Sequence, residues 1–292
     1  MKSTVKKSLP DKLFMAINSL LMLCIVAVML YPFWYICVGS VSSIGHIFKG
    51  GFLVWPDGFS TTAYEHVLSN SRIPRAFFNS IFITVVGTLI SMILTTIGAY
   101  VLSKPYLPGR TGMTMFVVIT MLFSGGLIPF YLTVNWLGLI DTIWSLIIPS
   151  AISTYNMIVM RNFFMAVPRS LEESAQIDGA RHFRTLLQIY LPLSKAVIAT
   201  VTLFYAVGYW NSFFNAIIFL NKPDYQPIQV ILREILLMSR TDILQAQDMS
   251  KNVPTETVKM ALVVVTVAPI ATIYPFLQKY FVKGVMIGSV KG

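Results

Sequence analysis

Residues 161–192 read RNFFMAVPRSLEESAQIDGARHFRTLLQIYLP, a charged stretch between two long apolar runs. It is too long for a turn and too polar to lie in lipid, so it must fold at a water-facing surface. Ser170-Leu171-Glu172-Glu173 reads as a capping box, in which the Ser170 hydroxyl accepts from the third helical amide while Glu173 reaches back to the Ser170 amide. A short helix is therefore expected, ending at Gly179, because glycine takes the left-handed conformation past a helix terminus at least cost. A second helix then starts at Ala180, with Ala180, Phe183 and Leu187 on one face, and Pro192 opens the next apolar run. The predicted product is a helix–turn–helix lying on the surface of a helical bundle.

The composition says what that bundle sits in. Of the 292 residues, 55% are hydrophobic and 12% charged, and the mean hydropathy is +0.71. Soluble domains run at about 45–50% apolar and about 25% charged, so this chain is solvated mainly by lipid. A helix crossing the hydrocarbon core needs about 20 mainly apolar residues at about 1.5 Å each. Six stretches meet that length: 13–38, 77–101, 113–134, 142–164, 195–220 and 258–278. The expected fold class is an all-α membrane protein with six transmembrane helices. The first run follows Lys2, Lys6, Lys7 and Lys12, as a signal peptide would, but it exceeds the about 7–15 apolar residues of such a peptide. Cys24 and Cys37 are the two cysteines of the chain, too few for a disulfide framework or a cysteine-based zinc site.

Charge orients the spans. Lys and Arg near span ends favour the cytoplasmic side. Six spans put both termini on one side, with 14 cations and 4 anions, and leave 8 of each on the other. Both termini are thus expected in the cytoplasm. Residues 1–12 form a cytoplasmic N-terminal segment, and 13–292 one transmembrane domain with outer loops 39–76 and 221–257 and the inner loop 165–194. The net charge of +10 then labels orientation, and no nucleic-acid partner is expected. In the second outer loop Ile228, Ile231, Leu232, Ile235 and Leu236 form the apolar stripe of an amphipathic helix, either a lid packed on the bundle or a docking element for an external partner.

Several chemistries are disfavoured. No Asp, Glu, Lys, Arg or His lies well inside a span, against a proton relay or an ion-coupled carrier. His46, His66 and His182 lack metal-ligand spacing, and no nucleophilic triad is evident. The phosphate-loop pattern is absent, and the nearest approach, Gly284-x-x-x-Gly288-Ser289, lacks its lysine. No phosphate-loop nucleotide site is therefore expected in this chain.

Within the opening stretch, Glu173-Ser174-Ala175-x-x-x-Gly179, then nine residues, then Ile189-x-Leu191-Pro192, resembles the EAA loop of permease subunits in binding-protein-dependent ABC importers, E-A-A-x3-G-x9-I-x-L-P. Every spacing agrees, and the one departure is Ser174 for the first alanine. Asp178-Gly179-Ala180, Tyr209-Trp210-Asn211, Gly125-Gly126-Leu127-Ile128-Pro129-x-Tyr131-Leu132 and Tyr274-Pro275-Phe276-Leu277-Gln278-Lys279-Tyr280-Phe281 are similar to the carbohydrate-uptake, MalG-like branch. Within it they look most like the LplC-like polysaccharide-oligomer group.

The resemblance implies a type I ABC importer permease fold in a bacterial plasma membrane. It makes the loop a pair of coupling helices that dock an ATPase through Glu172, Glu173, Ser174, Ala175, Asp178, Gly179, Ala180, Ile189, Leu191 and Pro192. It also implies a second, related permease subunit, two copies of the ATPase and an extracytoplasmic solute-binding protein. The chain would be no enzyme and would carry no cofactor, ATP and Mg belonging to the ATPase. A sugar path needs groups that match hydroxyls and flat apolar faces. Asn156, Asn211, Ser212 and Asn215 supply the first, and Tyr155, Tyr205, Tyr209 and Trp210 the second, with helix-to-helix hydrogen bonding and core packing as the alternatives. The Ile228 to Leu236 stripe would be among the binding-protein contacts. A permease for another solute class, or a secondary transporter, stands as the alternative function.

Overall fold

The computed structural model describes residues 9–43, 54–56, 58–237 and 255–288. Most of the outer-loop segments 44–53 and 238–254, including His46, and the first eight residues of the N-terminal segment lie outside the described residues. The chain forms two compact units, 1–69 with 236–265 and 70–235 with 266–292.

In the first unit α1 (Leu9–Ser40) is a 32-residue helix, and none of its apolar window is buried within the chain. Its end is held locally: the Ser40 hydroxyl bonds the Tyr64 hydroxyl of α2 (Thr62–Ser69) at 2.7 Å, and Ser42 bridges to Phe59.

The second unit is built on α3 (Arg72–Ser103). Its buried face carries Gly87, Ser91, Thr95 and Gly98, small residues three or four apart, as helices packing within lipid require for close approach. A Cβ on Gly87 would stand 2.8–2.9 Å from the Tyr209 ring, and one on Gly98 2.8 Å from Met157 Sδ. Two helices lie against this face, α7 (Thr154–Met165) and α11 (Lys195–Trp210). The core between them includes Ile83, Leu146, Met160, Phe164, Val197 and Val201.

Three described helices are long and apolar enough to cross a bilayer singly: Pro10–Ser40, Arg72–Ser103 and Glu256–Ile273, the last within α14 (Thr255–Gly288). The other three expected spans are not continuous helices, a correction with local causes. The 113–134 run is α4 (Arg110–Leu122) and α5 (Leu127–Trp136), bent by 113° where Gly126 takes φ +85°. The 142–164 run holds the single turn α6 (Trp144–Ile147), then an irregular stretch through Pro149, then α7 behind Ser153 as its cap. The 195–220 run breaks after Trp210 and resumes as α12 (Phe214–Phe219). Irregular backbone at membrane depth survives where protein buries it or a cavity hydrates it.

The helix–turn–helix exists with shifted starts. Its first helix, α8 (Arg169–Ile177), begins behind Pro168, whose ring presets φ at −58° and which needs no N–H partner. Ser170 therefore falls inside the helix, no side chain caps it, and the capping box does not form. At the other end the expectation is met in detail. Gly179 has φ +78°, its amide donates to Gln176 O (3.0 Å), and the Ala180 amide donates to Ala175 O (2.8 Å), the paired bonds of a Schellman turn. The second helix starts at α9 (His182–Thr185), two residues later than expected. It passes through a π turn, Leu186–Tyr190, into α10 (Leu191–Leu193), and bends 88° into α11. The Leu191 amide reaches back to Leu186 O, five residues away, just before Pro192.

Candidate functional site

Three places in the second unit carry the residues singled out from sequence. The first is the paired-helix loop. Glu173, Ser174, Asp178, Gly179 and Pro192 are exposed, Ala175 and Ala180 half-buried, and Ile189 and Leu191 pack against the core. Beside them Leu171, Phe183 and Leu187 are exposed, and Ile177 is 87% exposed. Bare apolar side chains thus gather around a polar turn, an exposed apolar surface of the kind that marks an interaction site.

Glu172 behaves differently from its neighbours. Expected among the docking residues, it instead lies buried against Lys104, the C-cap of α3, and is not on the exposed surface that carries Glu173 and Ser174. Lys104 Nζ donates to Glu172 Oε1 (2.6 Å) and to the Tyr190 hydroxyl (3.0 Å). Tyr190 donates to Glu172 Oε2 (2.7 Å), and Tyr106 to Oε1 (3.3 Å). The ammonium also lies 4.0 Å from the Tyr100 ring centroid and 4.1 Å from that of Tyr190. Burial would raise the Glu172 carboxyl, but the Lys104 and Tyr190 donors outweigh it and hold it below the usual glutamate range. Burial draws Lys104 below an ordinary lysine, against the pull of Glu172, and pushes the Tyr190 phenol up. Removing one partner of such a pair leaves a bare buried charge, at a cost of about 3–5 kcal/mol. Composition and spacing missed this network because its acid and base stand 68 positions apart. The available signal was a lone lysine just past an apolar helix, flanked by Tyr100 and Tyr106.

The second place is a cavity of about 380 Å³ where two helix breaks meet. Ser150 and Ser153 come from the irregular stretch before α7, and Asn211, Ser212 and Phe213 from the gap between α11 and α12. Asn156, Tyr205, Tyr209 and Asn215 complete the predicted set, and Phe204 and Phe214 add apolar faces. Every polar residue lining it is neutral. Asn156 is buried in the chain and lines this cavity. Asn211 Oδ1 accepts from Gln229 at 3.4 Å.

The tyrosine hydroxyls are already engaged. Tyr205 bonds Thr95 (2.6 Å) and accepts from the Ser153 amide (2.8 Å). Tyr209 bonds Ser91 (2.9 Å) and donates to Ile147 O (3.2 Å). These rings form cavity wall and tie it to α3. Trp210 leaves the site, a correction that follows from helical spacing: Tyr205 and Tyr209 share a face, and Trp210 lies about 100° further round. Its indole donates to Thr266 O (3.2 Å) and packs edge-on against Phe77. Tyr155 is exposed and does not line the cavity.

The third place is the second outer loop, in which α13 (Ile228–Leu237) forms as the stripe predicts. Ile228 and Ile231 are fully buried and the Ile228 amide donates to Ser80 of α3, so these two are unavailable to an external partner. Leu232 and Ile235 are half-buried and Leu236 is exposed. Asn79 clamps the approach by donating to the carbonyls of Asp224 (2.8 Å) and Gln226 (3.1 Å). Arg75 pairs with Asp224, and Arg72 with Glu234 (3.2 Å). Asp141, at φ +59°, accepts from the Asn221 and Lys222 amides, and the Asn221 bond foremost holds its carboxyl below the usual range. Among the described residues no group of three His, Cys, Asp or Glu could hold a metal.

Long apolar helices, with two interrupted helices around a neutral cavity, define a polytopic membrane protein. The comparisons narrow the class. Residues 106–287 match the family described as binding-protein-dependent transport system inner membrane component, and the chain belongs to that family. Protein LplC of Bacillus subtilis (strain 168) is 43% identical over 290 residues, 99% of this chain and 98% of that protein. The polygalacturonan/rhamnogalacturonan transport system permease protein YtcP of the same organism is 43% identical over 275 residues, 94% and 96% of the two chains. Among solved structures, a chain of a bacterial ABC transporter involved in the import of the acidic polysaccharide alginate is similar with TM-score 0.89 and 35% identity, over 95% of this chain and all of that one.

Proposed function

We propose that this chain is one permease subunit of an ATP-driven importer that moves an oligosaccharide, delivered by an extracytoplasmic binding protein, across a bacterial plasma membrane. The observation that carries the reading is the convergence of two helix breaks on one neutral cavity, lined by amide and hydroxyl groups and by ring faces. Amides and hydroxyls match sugar hydroxyls, and Phe204, Tyr205 and Phe213 supply apolar faces for sugar rings. Breaks of this kind place backbone dipoles at the substrate in other transporters. The relatives' transport of polygalacturonan and rhamnogalacturonan and involvement in alginate import support the sugar class.

Both termini face the cytoplasm in this reading, with α8 and its exposed apolar neighbours seated on one of two ATPase copies, which bind ATP and Mg. Transmission depends on the compact turn at Gly179. Gly179→Asp or Glu173→Lys is expected to leave membrane insertion intact and to abolish co-purification of the ATPase. Unchanged co-purification and transport in both variants contradicts the assignment.

A further inference from the structure

The buried pair under the loop is unused by that reading. Lys104 and Glu172 keep 6% and 8% of their side-chain surface. Burying two charges is costly, and apolar side chains of similar size would pack as well, so such a pair is best accounted for by the register it imposes on the elements it joins. Here it joins three. Lys104 ends α3, Glu172 lies in the first turn of α8, and Tyr190 sits in the π turn that leads toward α11. All three groups bond one another, at 2.6, 3.0 and 2.7 Å.

What α3 holds at its middle gives the joint a consequence. From Lys104 the helix runs unbroken back to Thr95 and Ser91, about 14 and 20 Å away at about 1.5 Å per residue. Those two side chains bond the hydroxyls of Tyr205 and Tyr209, which form the cavity wall. Gly87 lets the Tyr209 ring lie directly on α3, so axial movement of α3 must move or strain that ring. We propose that Lys104, Glu172 and Tyr190 are positioning residues that pass displacement of α8 to α3, and through Ser91 and Thr95 to the tyrosines of the cavity. The proposal rests on α8 being the helix that meets the ATPase. A static brace would account for the same contacts, so the test must read coupling apart from folding.

The test uses the assembled complex with its binding protein in lipid vesicles, comparing the natural chain with Lys104→Met, Glu172→Gln and Tyr190→Phe. Three quantities are read: ATPase retained on purification, ATP hydrolysed, and oligosaccharide imported per ATP. Retention and hydrolysis are expected to persist while import per ATP falls by about tenfold in the two charge variants, within the ordinary range of site-to-site coupling. Tyr190→Phe keeps the ion pair, removes one hydroxyl's hydrogen bonds and is expected to lose about two- to threefold. Unchanged import per ATP in the charge variants overturns the joint. Should they fail to accumulate, Tyr190→Phe decides, and an unchanged ratio there overturns it equally. Retention and hydrolysis that fall together with import, at a constant ratio, assign the pair to a brace. If the natural chain itself retains no ATPase, the underlying reading falls first, an outcome distinct from loss of the joint alone.

Discussion

Gly179 and Gly87 are both required to be glycine, for different physical reasons. At Gly179 φ is +78° and an added Cβ would meet nothing within 4 Å, so substitution strains the backbone alone. Gly179→Ala should cost about 1–2 kcal/mol, the price of the left-handed conformation. Gly87→Ala keeps a helical backbone but drives a Cβ into the Tyr209 ring, an overpacking cost of about 1–3 kcal/mol. Hydrogen exchange separates them: the first variant should loosen the Ala180 amide, whereas the second should leave that amide protected and lower the melting temperature of the solubilised chain. Glu172 makes a pH prediction. Its carboxyl is held below the ordinary value of 4.5, so its contribution is present above that pH and lost as pH falls through the lower, folded value. Melting temperature against pH should therefore show an acid limb that Glu172→Gln flattens, and identical limbs would contradict the assignment. Gly179 was legible in sequence because a helix end states its own backbone need. Glu172 was not, because its partners come from another helix.

At the scale of elements, length and hydropathy located the apolar segments, and a 3.6-residue stripe located α13. Neither shows where a helix breaks. Hydropathy runs unbroken through Gly126, Pro149 and Ser212, yet the backbone turns at Gly126, loses its helix around Pro149 and pauses at Asn211–Phe213. The cavity was half legible for the same reason. Asn156, Asn211 and Asn215 stood out as polar residues in apolar runs, while Ser150 and Ser153 reach it only because the helix is interrupted beside them. Asn79 went unnoticed because its partners are carbonyls, which no side-chain pattern reveals. Asn79→Ala removes two bonds that hold the entry to α13, so limited proteolysis should cut that loop faster while leaving α7 and α11 intact. An unchanged cleavage rate would mean that Arg72, Arg75 and Ser80 hold the loop without it.

For the whole molecule, +10 spread over a lipid-soluble chain says little until topology divides it. Divided by the expected six-span topology, it would make one face strongly basic and the other neutral, the basic one carrying the paired-helix loop. In the proposed reading the energy for transport enters through that loop, and the cavity wall that bonds Ser91, about 20 Å along α3, is where it is used. Charge could indicate orientation but not cargo, because the lining of this cavity is neutral. The most direct test is to purify the chain with its partner permease, ATPase and binding protein, and to measure ATP hydrolysis as oligosaccharides of defined charge and length are added. Hydrolysis should rise several-fold with one class of oligosaccharide, only when the binding protein is present, and the rise should vanish in Gly179→Asp. Hydrolysis indifferent to every oligosaccharide, or equally stimulated without the binding protein, would contradict the account.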